Sequence, residues 1–564
     1  MTNSAVYAIG DTYLDAYVVL DPIAATDMGV GTHVDTFPDL SPDGHAARND
    51  LARATLNELA AIPPTTDRDR VAADLMNDRL QVSVDQFELG EHLRDLRTLG
   101  CTMQEVRGVF DLMPYEDNDD WACVARRMHA VPAALQGLQA SLEHGRSLGI
   151  AAAQRQVRVC AQQAARWGGT QPVPSSRAST NAPFFHALAE NFNGDHALQS
   201  DLAEGARIAT DAFSKFASYL ANEYLPSATD RDAVGRDRYA VAARAANGIE
   251  LDVDETYAWG WDELHRIESQ MHIVCERIVT GGSFAEVVDH LERDPSQVVV
   301  GEGELQRWLQ DLIDRTTDEL NGTHFDIAPI ARTCEAMIAP PGGAAAMYYT
   351  PPSEDFSRPG RTWYPTQGAT RFPTWKEVSI CYHEAVPGHH LQLAQVRLLA
   401  DELSRYQRLM GWVSGHGEGW ALYAERLMGE LGYLDNPAHE LGMLAAQAMR
   451  AVRVIVDIGM HLELKVPDRE PGIGGMVWNA EIALPFVIER SCFPESWMRS
   501  EVDRYLGLPG QAISYKVGER VWLRARDDAK RRHGASFDLK AWHAFALNLG
   551  AVGLSTLEAE LARF

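Results

Sequence analysis

Segment after segment of this chain repeats apolar residues at every third or fourth position, with few internal prolines. ARNDLARATLNELAAI, DRVAADLMNDRLQVSVDQF, ALQGLQASLEHGRSLGIAAAQRQVRVCAQQAARW and ALQSDLAEGARIATDAFSKFASYLANEYL carry the pattern in the first half. DETYAWGWDELHRIESQMHIVCERI, the run from Thr374 through Arg397, a helix from about Glu418, and MRAVRVIVDIGMHLEL carry it in the second. A period near 3.6 cannot hold one face of a strand apolar, so the expected class is mainly α with minor β content. Breaks rich in Pro and Gly fall at 170–183, 339–368 and 467–475. The middle one is long enough to carry short strands, for which MYYT and RTWYPT are the candidates. No fixed-period repeat or heptad run divides the chain. The expectation is a single domain over 1–564 with two lobes, 1–240 and 241–564.

Lys and Arg number 51 against 79 Asp and Glu, a net charge of −28. A phosphate backbone or an anionic membrane is normally met by a basic face, so nucleic acid and membrane are excluded as expected partners. The seven cysteines are scattered, odd in number and without a CxxC pair, which argues against a disulfide framework and a cysteine zinc site. The N-terminus lacks a basic region followed by an apolar one, and no stretch approaches about 18 uncharged apolar residues. A cytoplasmic location is expected. GIGGMVW lacks the spacing of a dinucleotide or P-loop motif, and no GxSxG elbow occurs.

The segment that carries chemistry is CYHEAVPGHHLQLAQ, residues 381–395. A zincin helix sets two His at i and i+4 around one metal, with the intervening Glu as base. Here i+4 from His383 is Pro387. On an undisturbed helix His389 would sit about 120° off the face of His383, and His390 about 10.5 Å up the axis. Pro387, however, cannot donate to the carbonyl of residue 383 and clashes with it, so the helix must bulge. Looping out two residues, with Gly388 supplying freedom, turns i+6 into an effective i+4 and makes His389 the partner of His383. His390 needs three residues looped out and ranks second, as an outer-shell or substrate contact. Cys381 points elsewhere, into the core.

A third ligand is required. GHGEGWALYAERL offers Glu418 between two glycines, and Glu425 on the same face but about 10.5 Å away, so only one of the two can touch the ion. Glu418 is the choice, against the competing reading of a surface acid at a helix start. Two neutral His and one carboxylate suit one Zn per chain, with Mn or Co also acceptable, and Glu384 is placed to take a proton from bound water. Further on, Arg450, Arg453, Asp457 and His461 form one polar stripe on an apolar helix. Either it is a structural ion-pair network, or His461, oriented by Asp457, stabilises a tetrahedral intermediate while the arginines grip a substrate carboxylate. PGQAISYKVGE adds Tyr515 as an oxyanion donor and Lys516 as a further substrate-binding cation.

HEAVPGHHLQ, EGWALYAE, the VDIGMH helix and PGQAISYKVG together resemble the bacterial family known as domain of unknown function 885. The likeness runs nearly the full length, because the N-terminal region with Gly31, Asp35 and Asp39 and the segment VGRDRYAVAARAANGIELDVDETYAWGWDEL resemble it too. That family is in turn similar to the helical gluzincin peptidases. The resemblance implies a two-lobed fold with a deep central channel that admits short substrates. It also implies His383, His389 and Glu418 as ligands in the second lobe, Glu384 as base, and Tyr515 with His461 as stabilisers. The Pro-Gly insertion between the histidines departs from the gluzincin pattern. The expected function is a zinc-dependent hydrolase of peptide or amide bonds in short substrates, of carboxypeptidase or oligopeptidase type. The alternatives are a metal-dependent hydrolase of a non-peptide amide or ester, or a non-catalytic metal-dependent binding protein.

Overall fold

The computed structural model describes residues 4–31, 34–171, 182–339, 347–491 and 493–564. Parts of two Pro/Gly breaks, 172–181 and 340–346, and Cys492 lie outside the described residues. The chain is mainly helical. Two long sequence runs are interrupted where local chemistry demands it. The run through ALQGLQ and RQVRVC becomes the helices Asn118–Ser147 and Gln154–Trp167, parted at Gly149 with φ 74°. The helix expected from about Glu418 begins earlier, at Ser414, and extends to Glu430.

Three apolar cores organise these helices. In the first half, Asn118–Ser147 packs along His196–Tyr219 with Gln154–Trp167 beside them, and this core draws on residues from Leu40 to Ala228. The largest core runs from Tyr239 to Leu561, with Val71 added. Its backbone is the helix Val253–Ile278 against Pro437–Leu462, and Ser414–Glu430 against Ser514–His533. Pro437–Leu462 is enclosed almost all round from Leu444 to His461, which is why its sequence is apolar on every face apart from the charged stripe. A third, smaller core joins the N-terminal helices Ala5–Leu20, Pro42–Ala61 and Asp67–Glu88 to Tyr406 and Val413 of the second half.

MYYT and RTWYPT do carry strands. Tyr348–Thr350 pairs antiparallel with Gly360–Tyr364, which also runs parallel to Cys334–Ile338, in the order 334–338, 360–364, 348–350. A separate two-stranded ribbon joins Val298–Val300 to Arg371–Pro373. The six described cysteines are buried free thiols. Among the described residues no helix is long and apolar enough to cross a membrane.

Candidate metal centre

The His-Glu segment folds as two helices, Glu377–Glu384 and His389–Leu398, with the expected break between them. Ala385 and Gly388 take ψ values of −125° and −130°, and the Val386–Pro387 bond is cis. The Gly388 N–H donates to the Tyr382 carbonyl and the His390 N–H to the Ala385 carbonyl. A Cβ on Gly388 would lie 1.9 Å from the His383 carbonyl oxygen, so only glycine permits this fold-back. The carbonyls of Pro387 and Gly388 accept from the Trp420 indole N–H at 2.9 and 3.1 Å. The tryptophan of the EGW motif thus holds the bulge that the proline creates.

Glu418 arrives on Ser414–Glu430. That helix crosses Ser514–His533 in backbone contact, because a Cβ on Gly419 would stand 2.5 Å from Gly518 Cα. The crossing carries Tyr515 to the same place. The result is a convergence of bare donor atoms: Glu418 Oε2 stands 3.3 Å from His383 Nε2 and 3.4 Å from His389 Nε2. The three donors lie within 4.8 Å of one another. Donors around a tetrahedral ion bound at about 2.0–2.1 Å stand about 3.3 Å apart, so two of these three edges already have the spacing of a zinc site.

Behind the cluster sits Glu425, fully buried, whose Oε1 accepts from His383 Nδ1 at 2.8 Å. Ser379 Oγ donates to its other oxygen and Arg450 stands 3.3 Å away. Because Nδ1 carries the donated proton, Nε2 is left to face Glu418, the orientation that a carboxylate imposes on a metal-binding imidazole. Burial works against a charged His383, yet the contacts from Glu418 and Glu425 outweigh it and push the ring up to about 9. Burial would likewise raise Glu418, but His383 and His389 hold it well below the usual carboxylate range. The site therefore demands positive charge at this point, whether a proton or a metal ion supplies it. His389 Nδ1 has no hydrogen-bond partner, so its tautomer is set less firmly.

Glu384 is buried at the end of its helix and senses His383, His389, Glu418 and Arg450 electrostatically. Burial raises its pKa above that of an ordinary carboxyl. The Tyr515 ring stacks on His383 with centroids 6.3 Å apart and is only partly buried. Arg453 lies 4.8 Å and Arg450 5.7 Å from that ring. Trp412, half exposed, borders His389.

Several expected site residues go elsewhere. His390 is buried with both ring nitrogens used: Nε2 donates to the Ala331 carbonyl at 2.9 Å and Nδ1 accepts from the Tyr349 hydroxyl. The helix that points His389 inward points His390 at the small sheet, so it is no substrate contact. His461 is also no stabiliser. It lies eleven residues beyond Arg450, about 16 Å along the axis, and its Nε2 donates to the Tyr505 carbonyl at 3.0 Å. Asp457 does not orient it, since the two stand 4.0 Å apart while Asp457 Oδ2 accepts from Tyr239 and the Gly510 N–H. Lys516 is fully buried and bonds to Glu263, Gln447 and Glu519. Arg453 pairs with Glu501 at 2.8 Å and bonds Tyr505, and Arg450 is paired with Glu425. Arg453 is thus committed to Glu501, whereas Arg450 keeps its Nε buried without a hydrogen-bond partner beside the centre.

A cavity of about 1010 Å³ opens among Glu91, Arg146, Arg238 and Gln511, between the first and second cores. No metal-centre residue lines it, so it is not the metal-bearing channel that the gluzincin likeness implied. Glu425, weighed in the sequence as the alternative to Glu418, lies behind the cluster on His383 Nδ1, and Trp420, on the same EGWALYAE helix, is the residue at the centre that the sequence reading passed over.

A family model described as "Bacterial protein of unknown function (DUF885)" matches residues 22–561. Among curated proteins no match is found. Two solved structures share the fold. One is "the putative lipoprotein from Colwellia psychrerythraea", with TM-score 0.84 and 21% identity over 99% of this chain and 98% of that one. The other is "a putative lipoprotein of unknown function from Shewanella oneidensis", with TM-score 0.76 and 16% identity over 98% and 99%.

Proposed function

The chain belongs to the bacterial DUF885 family, and from the geometry of its centre we propose that it is a zinc-dependent hydrolase of peptide or amide bonds in short substrates, related to the helical gluzincin peptidases. The observation that carries this reading is the meeting of His383 Nε2, His389 Nε2 and Glu418 Oε2, with Glu425 fixing the His383 ring from behind. Glu418 Oε2 is buried without a hydrogen bond and faces both imidazole Nε2 atoms at once. His383, His389 and Glu418 would hold the ion. When bound, it supplies an acidified water and a polarised carbonyl.

The chain's own groups divide the remaining tasks. Glu384 has no hydrogen bond tying up its carboxylate among the described residues, and it is buried beside the centre. It takes the proton of the attacking water and returns it to the leaving nitrogen. Burial, which raises its pKa, favours its holding the proton it carries to the leaving nitrogen. Tyr515, a phenol pushed up to about 12 by burial and by Glu418, keeps its proton and donates a hydrogen bond to the oxyanion. Arg453, stacked on the tyrosine ring and anchored by Glu501, sets the position of that phenol.

The test is turnover of a short-peptide library by the zinc-loaded protein beside Glu384→Gln. Cleavage by the wild type, with loss of at least about a hundredfold in the variant at unchanged metal content, is the expected result. Cleavage of small acyl esters or amides but no peptide would move the substrate class. Metal binding without turnover of any kind would leave a binding protein.

A further inference from the structure

The protein carries a net charge of −28, yet one patch of it sets three guanidiniums against a single carboxylate. The loop 351–359 joins the strands Tyr348–Thr350 and Gly360–Tyr364 and brings Glu354 and Arg358 to the helices His389–Leu398 and Arg405–Leu409. Arg408 Nη1 donates to Glu354 Oε1, and Arg397 Nη1 stops 4.0 Å from the same oxygen. Neither guanidinium is satisfied, since Arg397 Nη1 and Arg408 Nε are both buried without a hydrogen-bond partner. Arg358, exposed on the loop, reaches only the carbonyl of the adjacent Pro359, at 3.5 Å. Burial weighs most against the Arg397 charge, Arg408 and Arg358 add to that penalty, and Glu354 is the anion that opposes it.

Asp355, the other acid of the loop, is turned to the loop itself. Its Oδ1 accepts from the hydroxyls of Ser353 and Ser357 at 2.7 and 2.8 Å and from the Ser357 N–H at 3.0 Å. Ser353 Oγ accepts in turn from the Arg358 N–H at 3.0 Å, which fixes the backbone that carries this arginine. The Glu354 side chain is 54% exposed, against 19% for Arg397 and 12% for Arg408, so the carboxylate meets both arginines from the solvent side. An anion arriving from solvent can join it or displace it. Three cations and one anion leave two positive charges, the complement of a dianion, and guanidinium forks match the oxygens of a phosphate. The patch is separate from the metal centre, because Arg397 lies eight residues beyond His389 on the same helix, about 12 Å along its axis.

We propose that Arg358, Arg397 and Arg408 form a second binding site, which takes the phosphate group of a small molecule at the place that Glu354 now half fills. The site stands or falls independently of the hydrolase reading. A phosphate bound there bridges the loop 351–359 to both helices and supplies the partners that Arg397 Nη1 and Arg408 Nε lack.

The experiment titrates the full-length protein calorimetrically with inorganic phosphate and with glycerol phosphate, at a pH where both are mainly dianions. Ionic strength is held constant with chloride, so that only a preference for the dianion registers. Saturable binding is the expected result. Arg397→Gln should weaken it about tenfold or more, and Arg397→Lys should regain part of the loss. Glu354→Gln, a change at an exposed position, should tighten it about threefold or more by removing the competing carboxylate. His389→Ala should leave it unchanged, which separates the patch from phosphate captured by an ion at the metal centre. Tighter binding of glycerol phosphate identifies a phosphomonoester as the ligand, and equal or tighter binding of inorganic phosphate identifies the free ion. No saturable binding, binding that survives Arg397→Gln, weaker binding in Glu354→Gln, or loss in His389→Ala overturns the proposal.

Discussion

The second core holds two dense sets of buried ionisable side chains that look alike in sequence and differ in how their polar atoms are used. In one, His383, His389 and Glu418 aim their donor atoms at a common point, with the bonding pushed to the rear, onto Glu425, Ser379 and Arg450. In the other, Arg453, Asp457, His461 and Lys516 point at separate partners, Glu501, Tyr239, the Tyr505 carbonyl, and Glu263 with Glu519, and share no common point. A charged stripe on an apolar helix reports burial. Donors turned toward one point, with their other atoms tied from behind, are the arrangement on which the proposed metal site rests.

The sharpest way to break this contrast is metal analysis. His383→Ala, His389→Ala and Glu418→Ala should each drop bound Zn from about one per chain to near zero, read by mass spectrometry after dialysis. His390→Ala and Lys516→Met should keep it. Retention in Glu418→Ala, or loss in His390→Ala, would merge the two sets again.

Next in size is the converse effect. Lys516→Met leaves Glu519, almost fully enclosed, with only Arg426 at 3.8 Å. Breaking a buried pair by removing one partner costs about 3–5 kcal/mol. The urea midpoint should fall accordingly, with metal content unchanged. A loss below about 1 kcal/mol would mean that water reaches Glu519.

Between the two sets stands Glu425, bound to His383 of the proposed centre on one side and beside Arg450 of the charged stripe on the other. Glu425→Gln keeps the shape but weakens the hold on His383 Nδ1 and unpairs Arg450. Zn affinity should fall about 10- to 100-fold without vanishing, as expected when the group behind a ligand is altered. A competition titration with a chelator measures this. Total loss would place Glu425 among the ligands themselves.

The legible parts of the molecule were those fixed within a few residues of chain. Pro387 forces the bulge that pairs His389 with His383, and that follows from the missing N–H and the ring clash. The helices and the two strands in the long Pro/Gly break follow from periodicity and turn residues. What could not be read depends on contacts across the fold. His390 and His389 are adjacent in sequence, and only the sheet strand bearing Tyr349 decides that one of them is already satisfied. Lys516 sits next to Tyr515, yet Glu263, some 250 positions away in the chain, claims it. Trp420 holding the Pro387 carbonyl is likewise invisible until the two helices are packed.

The smallest effect concerns the closed set and tests whether its members are neutral, as their surroundings demand. Burial pushes Asp457 up to about 7 and His461 down to about 4. Their unfolded values are about 3.9 and 6.5. Between pH 4 and 6.5 the unfolded chain therefore has an ionised Asp and a protonated His, and the folded chain a protonated Asp and a neutral His. Each state binds one proton at the pair, so the two contributions to the pH slope of stability cancel. Asp457→Asn removes one side of the balance. His461, whose folded pKa is lowered, then costs stability as pH falls below 6.5, at about 1.4 kcal/mol per pH unit. From pH 6.5 to pH 5 the variant should lose about 2 kcal/mol relative to wild type. His461→Gln should do the opposite, losing stability as pH rises through the same window, because the unfolded chain then gives up the Asp457 proton that the folded chain still holds. Urea midpoints of the three proteins at the two pH values decide the matter. Parallel pH profiles would mean that the pair stays charged inside the fold, and the closed network would then be an ion pair held apart at 4.0 Å.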